Sequence, residues 1–148
     1  MHTDACEQLC AASVAGDPET VSGILDQNEV LVGCHGSVRE DHRSFMAREN
    51  ADNGWTPLHL ATHYGQTDCV RILIERGADI NAIAENPIAN TPVHTCVVGG
   101  NMDCLRALLD HSPNLTRKDA AGSTPLDLAR GNGATEMASL IEQALAEA

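Results

Sequence analysis

Aromatic side chains are nearly missing from this 148-residue chain: Phe45, Trp55 and Tyr64 are the whole set. A core without large rings is made of Leu, Ile, Val and Ala in thin layers, which suits short stacked helices. Basic charge is also scarce. Nine Lys and Arg stand against 21 Asp and Glu, giving a formal net charge of -12, which repels phosphate backbones and anionic membrane surfaces. Nucleic acid and membrane are therefore poor partners. A basic protein is an electrostatically easier one, although acidity also serves solubility. No stretch approaches the ~20 apolar residues of a membrane span. The segment Met1 to Glu7 already carries Asp4 and Glu7, so it has no apolar run with a basic flank. The expectation is one cytoplasmic domain that needs no cofactor.

What the chain does have is internal repetition. Thr56-Pro57-Leu58-His59 returns as Thr91-Pro92-Val93-His94 after 35 residues and as Thr124-Pro125-Leu126-Asp127 after 33. Gly65, Gly100 and Gly133 keep the same spacing, as do Leu73, Leu108 and Ile141. A period near 33 residues is the mark of a repeat architecture. The stretch Thr56-Pro57-Leu58-His59-Leu60-Ala61 resembles the signature of the ankyrin repeat family, Thr-Pro-Leu-His-x-Ala. The resemblance implies a mainly α solenoid of about four helix-turn-helix repeats with short hairpin fingers. It covers nearly all of the chain outside Gly33 to Asn50.

Taken in order, residues 4–32 read as a divergent N-terminal capping repeat. Gly16 aligned on Gly65 places Leu9, Ala12, Val21 and Leu25 on Leu58, Ala61, Val70 and Ile74, but the Thr-Pro opening is missing. A polar terminal repeat is expected, because one of its faces meets water. Asp17-Pro18-Glu19 opens its second helix with a capping aspartate, a proline at the first helical position and an acid near the positive helix end. That alignment exceeds one period by 16 residues, so an insertion occupies roughly 33–50. Ser37-Val38-Arg39-Glu40 fits a capping box, and Val38, His42, Phe45 and Met46 make a narrow helical stripe. Either a short helix or a loop fits, since an isolated helix of roughly ten residues is marginal in water.

Full repeats follow at 51–82 and 83–118, with a C-terminal capping repeat at 119–148. Gly77 should end its helix in the left-handed conformation, whereas the next copy has Ser112 there. The finger between Asn81 and Thr91 is two residues longer than usual.

Of the seven histidines, the resemblance assigns His59 and His94 to bonds with the motif threonine and with backbone of the adjoining repeat. Both should be neutral and structural rather than catalytic. Cys69 and Cys104 share one register position, and the six cysteines are expected to be reduced, chiefly as small buried hydrophobes. Cys34, His35 and His42 form a Cys/His group outside the repeats. It lacks the paired spacing of a zinc site and any accompanying catalytic motif, so a thiol or metal site there is the weaker alternative. The chain is expected not to be an enzyme.

Ankyrin proteins bind through finger tips and the exposed side of their first helices. The resemblance accordingly implies contacts at Asp52, Asn53, Trp55, His63, Tyr64, Ile88, Asn90 and Val98, with Phe45 and Met46 extending the groove. Trp and Tyr are the residues most enriched in binding hot spots, so Trp55→Ala is expected to weaken binding and spare folding. Trp55 packing on Phe45 or Met46 is the other reading. The implied function is a non-catalytic protein-interaction module, a monomer or weak dimer, acting as an inhibitor or immunity-type protein. An adaptor or chaperone-like subunit is the alternative.

Overall fold

The structure, a computed structural model, describes residues 5–34, 54–85 and 88–147. Its helices come in pairs: α1 (Ala5–Ala15) with α2 (Pro18–Gln27), α3 (Pro57–His63) with α4 (Thr67–Glu75), α5 (Pro92–Gly99) with α6 (Met102–Leu109), and α7 (Pro125–Gly131) with α8 (Thr135–Glu147). First helices pack in the row α1, α3, α5, α7 and second helices in the row α2, α4, α6, α8. This is the expected four-repeat solenoid. Among the described residues the fingers are joined by isolated backbone bonds, Glu85 N–H to Gly54 C=O at 2.9 Å and Ala120 N–H to Ile88 C=O at 2.9 Å, with no strand formed. No helix among them is long and apolar enough to cross a membrane.

The Thr-Pro motif starts each first helix by a reciprocal cap. Thr56 Oγ1 accepts from the His59 N–H at 3.3 Å, and His59 Nδ1 accepts from the Thr56 N–H at 3.2 Å. Thr91 and His94 repeat the arrangement, and Thr124 does so with Asp127. Proline at the first helical turn loses nothing, because its missing N–H has no intrahelical acceptor anyway. These helices span only seven or eight residues. Neighbours must therefore stabilise them.

They do so through a main core in which Leu9, Leu58, Leu73, Leu105, Leu108 and Ile141 are wholly buried. A polar row runs beside it. His59 Nε2 donates to the Asn90 carbonyl at 2.8 Å and His94 Nε2 to the Ser123 carbonyl at 2.9 Å. The hydroxyls of Thr62 and Thr95 meet at 2.5 Å.

Two further amides clamp successive repeats. Asn101 Nδ2 reaches back to the carbonyls of Thr62 and His63 at 2.9 and 3.0 Å, and Gln66 Nε2 reaches the Val14 carbonyl at 2.8 Å. Each sits just before a second helix without capping it. The amides fit because the preceding turn holds a left-handed glycine, Gly65 or Gly16, where a Cβ would collide with the Asn101 or Gln66 side chain. Ser112 adopts φ +52° in the place that Gly77 fills at +95°. For a non-glycine residue this costs ~1–2 kcal/mol.

Burial holds the His94 imidazole below its ordinary 6.5, with the Ser123 carbonyl and the Asp119 charge opposing part of the shift. The unfolded chain therefore takes up this proton before the folded chain does. The stability it carries is complete above 6.5 and is lost as pH falls through the folded value. Urea midpoints should drop as pH is lowered from about 7 to about 5, and the drop should be shallower in His94→Gln.

Candidate partner-binding surface

The first-helix ends place His63, Val98 and Gly131 in one register, with Tyr64, Gly99 and Asn132 beside them. Val98 is 54% exposed, one of two large apolar side chains open to water among the described residues. His63 and Tyr64 are half-buried and meet edge to face, ring centroids 4.9 Å apart. Gly99 is exposed but confined: a Cβ there would run into the His63 carbonyl. Ile88 is half-buried on the long finger, and Ala120 and Ala121 are exposed on the next. The open surface is thus shallow, with one aromatic rim and small residues along most of its length.

Two expected contact residues are not on that surface. Trp55 is 2% exposed and Asn90 5%. The indole fills a second core cluster with Cys6, Cys10, Leu60 and Ala84, at the seam where α1 meets α3. Its rings also lie against His59 and His63, at centroid distances of 6.2 and 5.1 Å. A buried indole N–H needs an acceptor, and Asn90 Oδ1 supplies it at 3.1 Å. Asn90 is withdrawn from the surface for the same reason. Asp52, Asn53, Phe45 and Met46 lie outside the described residues, so the expected Trp55 packing on Phe45 or Met46 does as well.

The cysteines divide into two groups, and one departs from expectation. Cys69, Cys96 and Cys104 are buried thiols. Burial pushes Cys69 up to about 11 and raises Cys96 and Cys104 above the ordinary thiol value, which keeps them protonated and poorly nucleophilic. Cys6 and Cys34, however, form a disulfide, so not all six are reduced. The 3-10 turn Glu29–Gly33 packs on α1 and α2 and delivers Cys34 to α1. His35 and His42 lie outside the described residues. Cys34 is thus grouped with Cys6 and Cys10. The spacing of Cys6 and Cys10, one helical turn apart, was a signal available in the sequence. So was the shared register of Gln66 and Asn101.

The ankyrin repeat family model matches residues 53–85, and a model of ankyrin repeats in many copies matches residues 93–141. The human oxysterol-binding protein-related protein 1 is 33% identical over 88 residues, covering 56% of this chain and 8% of that protein. Human ankyrin repeat and SOCS box protein 11 is 31% identical over 118 residues, covering 74% of this chain and 36% of its own length. The mouse ankyrin repeat and SOCS box protein 12 is 32% identical over 72 residues, 46% of this chain and 22% of that protein. The chain therefore spans well under half the length of these curated relatives.

Trp55→Ala leaves a large void in the second cluster and strands the Asn90 amide. It should lower unfolding stability by ~3–5 kcal/mol, measured by urea denaturation, where the sequence alone predicted near-intact folding.

Proposed function

The chain belongs to the ankyrin repeat family, and from that premise we propose that it takes a partner protein on the surface formed by His63, Tyr64, Ile88 and Val98. The repeats mark a protein-protein interaction module, a fold that is generally non-catalytic. The observation that carries the choice of surface is the exposure of Val98 in the middle of the first-helix row, flanked by Tyr64 on one side and bare glycine on the other. Apolar side chains held open at such a place gain by being covered.

The net charge of -12 favours a basic partner and speeds encounter with it. A shallow face suits a protein that occupies a partner's surface, as an inhibitor or immunity-type protein does. An adaptor role would need a second surface engaged at the same time.

The test is capture from source lysate by wild type and by a Val98→Asp, Tyr64→Ala double variant matched for thermal unfolding. A protein held by wild type, lost by the variant and released by added salt is the expected result. Equal capture by both chains, or capture that salt does not weaken, removes this surface or the basic partner respectively.

A further inference from the structure

Cys6 and Cys10 stand one turn apart on α1, and the Cys34 N–H is fixed by the Leu31 carbonyl at 3.0 Å at the end of the 3-10 turn. The three sulfurs all lie within 4.8 Å of one another. Cys10 is 0% exposed, Cys6 7%, and Cys34 is half-buried. Trp55, Leu60, Ala84, Val14, Leu31 and Tyr64 pack with them. Two of the sulfurs are joined as the bridge and the third, Cys10, stays beside it.

We propose that, when the Cys6–Cys34 bridge is reduced, Cys6, Cys10 and Cys34 form a three-thiolate site for a soft monovalent cation, copper(I). Metal–thiolate bonds of about 2.3 Å put the three sulfurs of a trigonal site roughly 4 Å apart, within the spread seen here. Thiolates select soft ions such as copper(I) and zinc. Zinc in a structural site completes four ligands, and among the described residues no fourth Cys, His, Asp or Glu joins these three sulfurs. Three-coordinate copper(I) needs none.

The steps balance. A small dithiol reductant passes two electrons and two protons to the Cys6–Cys34 bond and is itself oxidised to its disulfide, leaving two thiols. Copper(I) then binds without change of oxidation state, and the thiol protons it displaces go to solvent. The bridge and the metal are mutually exclusive, because the same two sulfurs serve both. The site therefore loads in reducing conditions and closes in oxidising ones.

The full chain, reduced and kept free of oxygen, is titrated with copper(I) supplied alone as its acetonitrile complex, in competition with a chromophoric copper(I) chelator. Thiolate-to-copper absorption in the ultraviolet provides a second readout. One bound equivalent is expected for wild type. Loss even of an outer-shell partner costs a metal site ~10–100-fold, so Cys10→Ser should lose at least about tenfold in affinity, and Cys69→Ala and Cys104→Ala should retain it. Cys34→Ser alters a half-buried turn residue and repeats the test if Cys10→Ser does not fold. Wild-type affinity in a folded Cys10→Ser or Cys34→Ser variant overturns the proposal. So does an equal loss in Cys69→Ala, or undiminished binding by the oxidised chain.

Discussion

The hydrogen bond from His59 Nε2 to the Asn90 carbonyl is the contact on which the middle of the array depends. Its direction is set one residue triplet away. Because His59 Nδ1 accepts from the Thr56 backbone N–H, the ring carries its proton on Nε2 and has one donor to offer, which it gives to the next repeat. The same imidazole therefore caps its own helix and ties that helix to its neighbour. Protonation would turn Nδ1 into a donor facing another donor. The neutral state is a condition of the cap, and His94 is under the same condition with Ser123. Asn90 gathers more than this one bond. Its carbonyl also accepts from Ala84 N–H, and its side chain holds the Trp55 indole. One finger residue thus joins the imidazole row to the second core cluster.

The two ends of the array show what happens where the device is absent. Asp127 keeps the half of it that caps a helix, accepting from Thr124 N–H at 3.0 Å, but a carboxylate has no proton to pass to a further carbonyl. At the other end α1 lacks the Thr-Pro cap altogether. It is held to α3 by the Trp55 cluster and by the Gln66 amide on the Val14 carbonyl, while the bridge from Cys34 ties it to the 3-10 turn of its own repeat. Arg76, just past the end of α4, adds contacts to Ser22 and Asp26 on α2, but a surface pair of that kind is worth little. Apolar burial and one side-chain amide therefore do at the first interface what a buried imidazole does at the next two.

The repeats, their caps, the glycine turns and the structural histidines were all legible in the sequence. Each follows from local chemistry repeated in register. The misplacement of Trp55 has a different origin. Its register position is a finger, which the family leaves open to partners. Whether it is covered depends on the shape of α1 and the 3-10 turn, elements that have left the register. Asn90 was misplaced with it, since only the buried indole explains why its side chain turns inward. The Cys6–Cys34 bridge was illegible for a related reason. Cys69 and Cys104 announce their burial by sharing a position, whereas Cys34 stands at the edge of the insertion with no counterpart to calibrate it.

Moving Trp55 inward changes the physics of the proposed contact face. An interface usually draws most of its affinity from a few buried aromatic or arginine anchors. With the indole gone, the described part of this face offers Tyr64, Val98 and Ile88 between glycines and alanines. Such a face admits close approach of a partner's backbone but supplies few knobs of its own. The anchors would then have to come from the partner, inserting into the open space above Gly131. An acidic chain meeting such a partner gains mainly in encounter rate, because charge outside the contact steers association more than it holds the complex. Residence would rest on how well the partner's side chains fill a surface whose small residues are fixed by the fold. Gly99 shows the constraint most directly, since the carbonyl of His63 already occupies the space that a larger side chain would need.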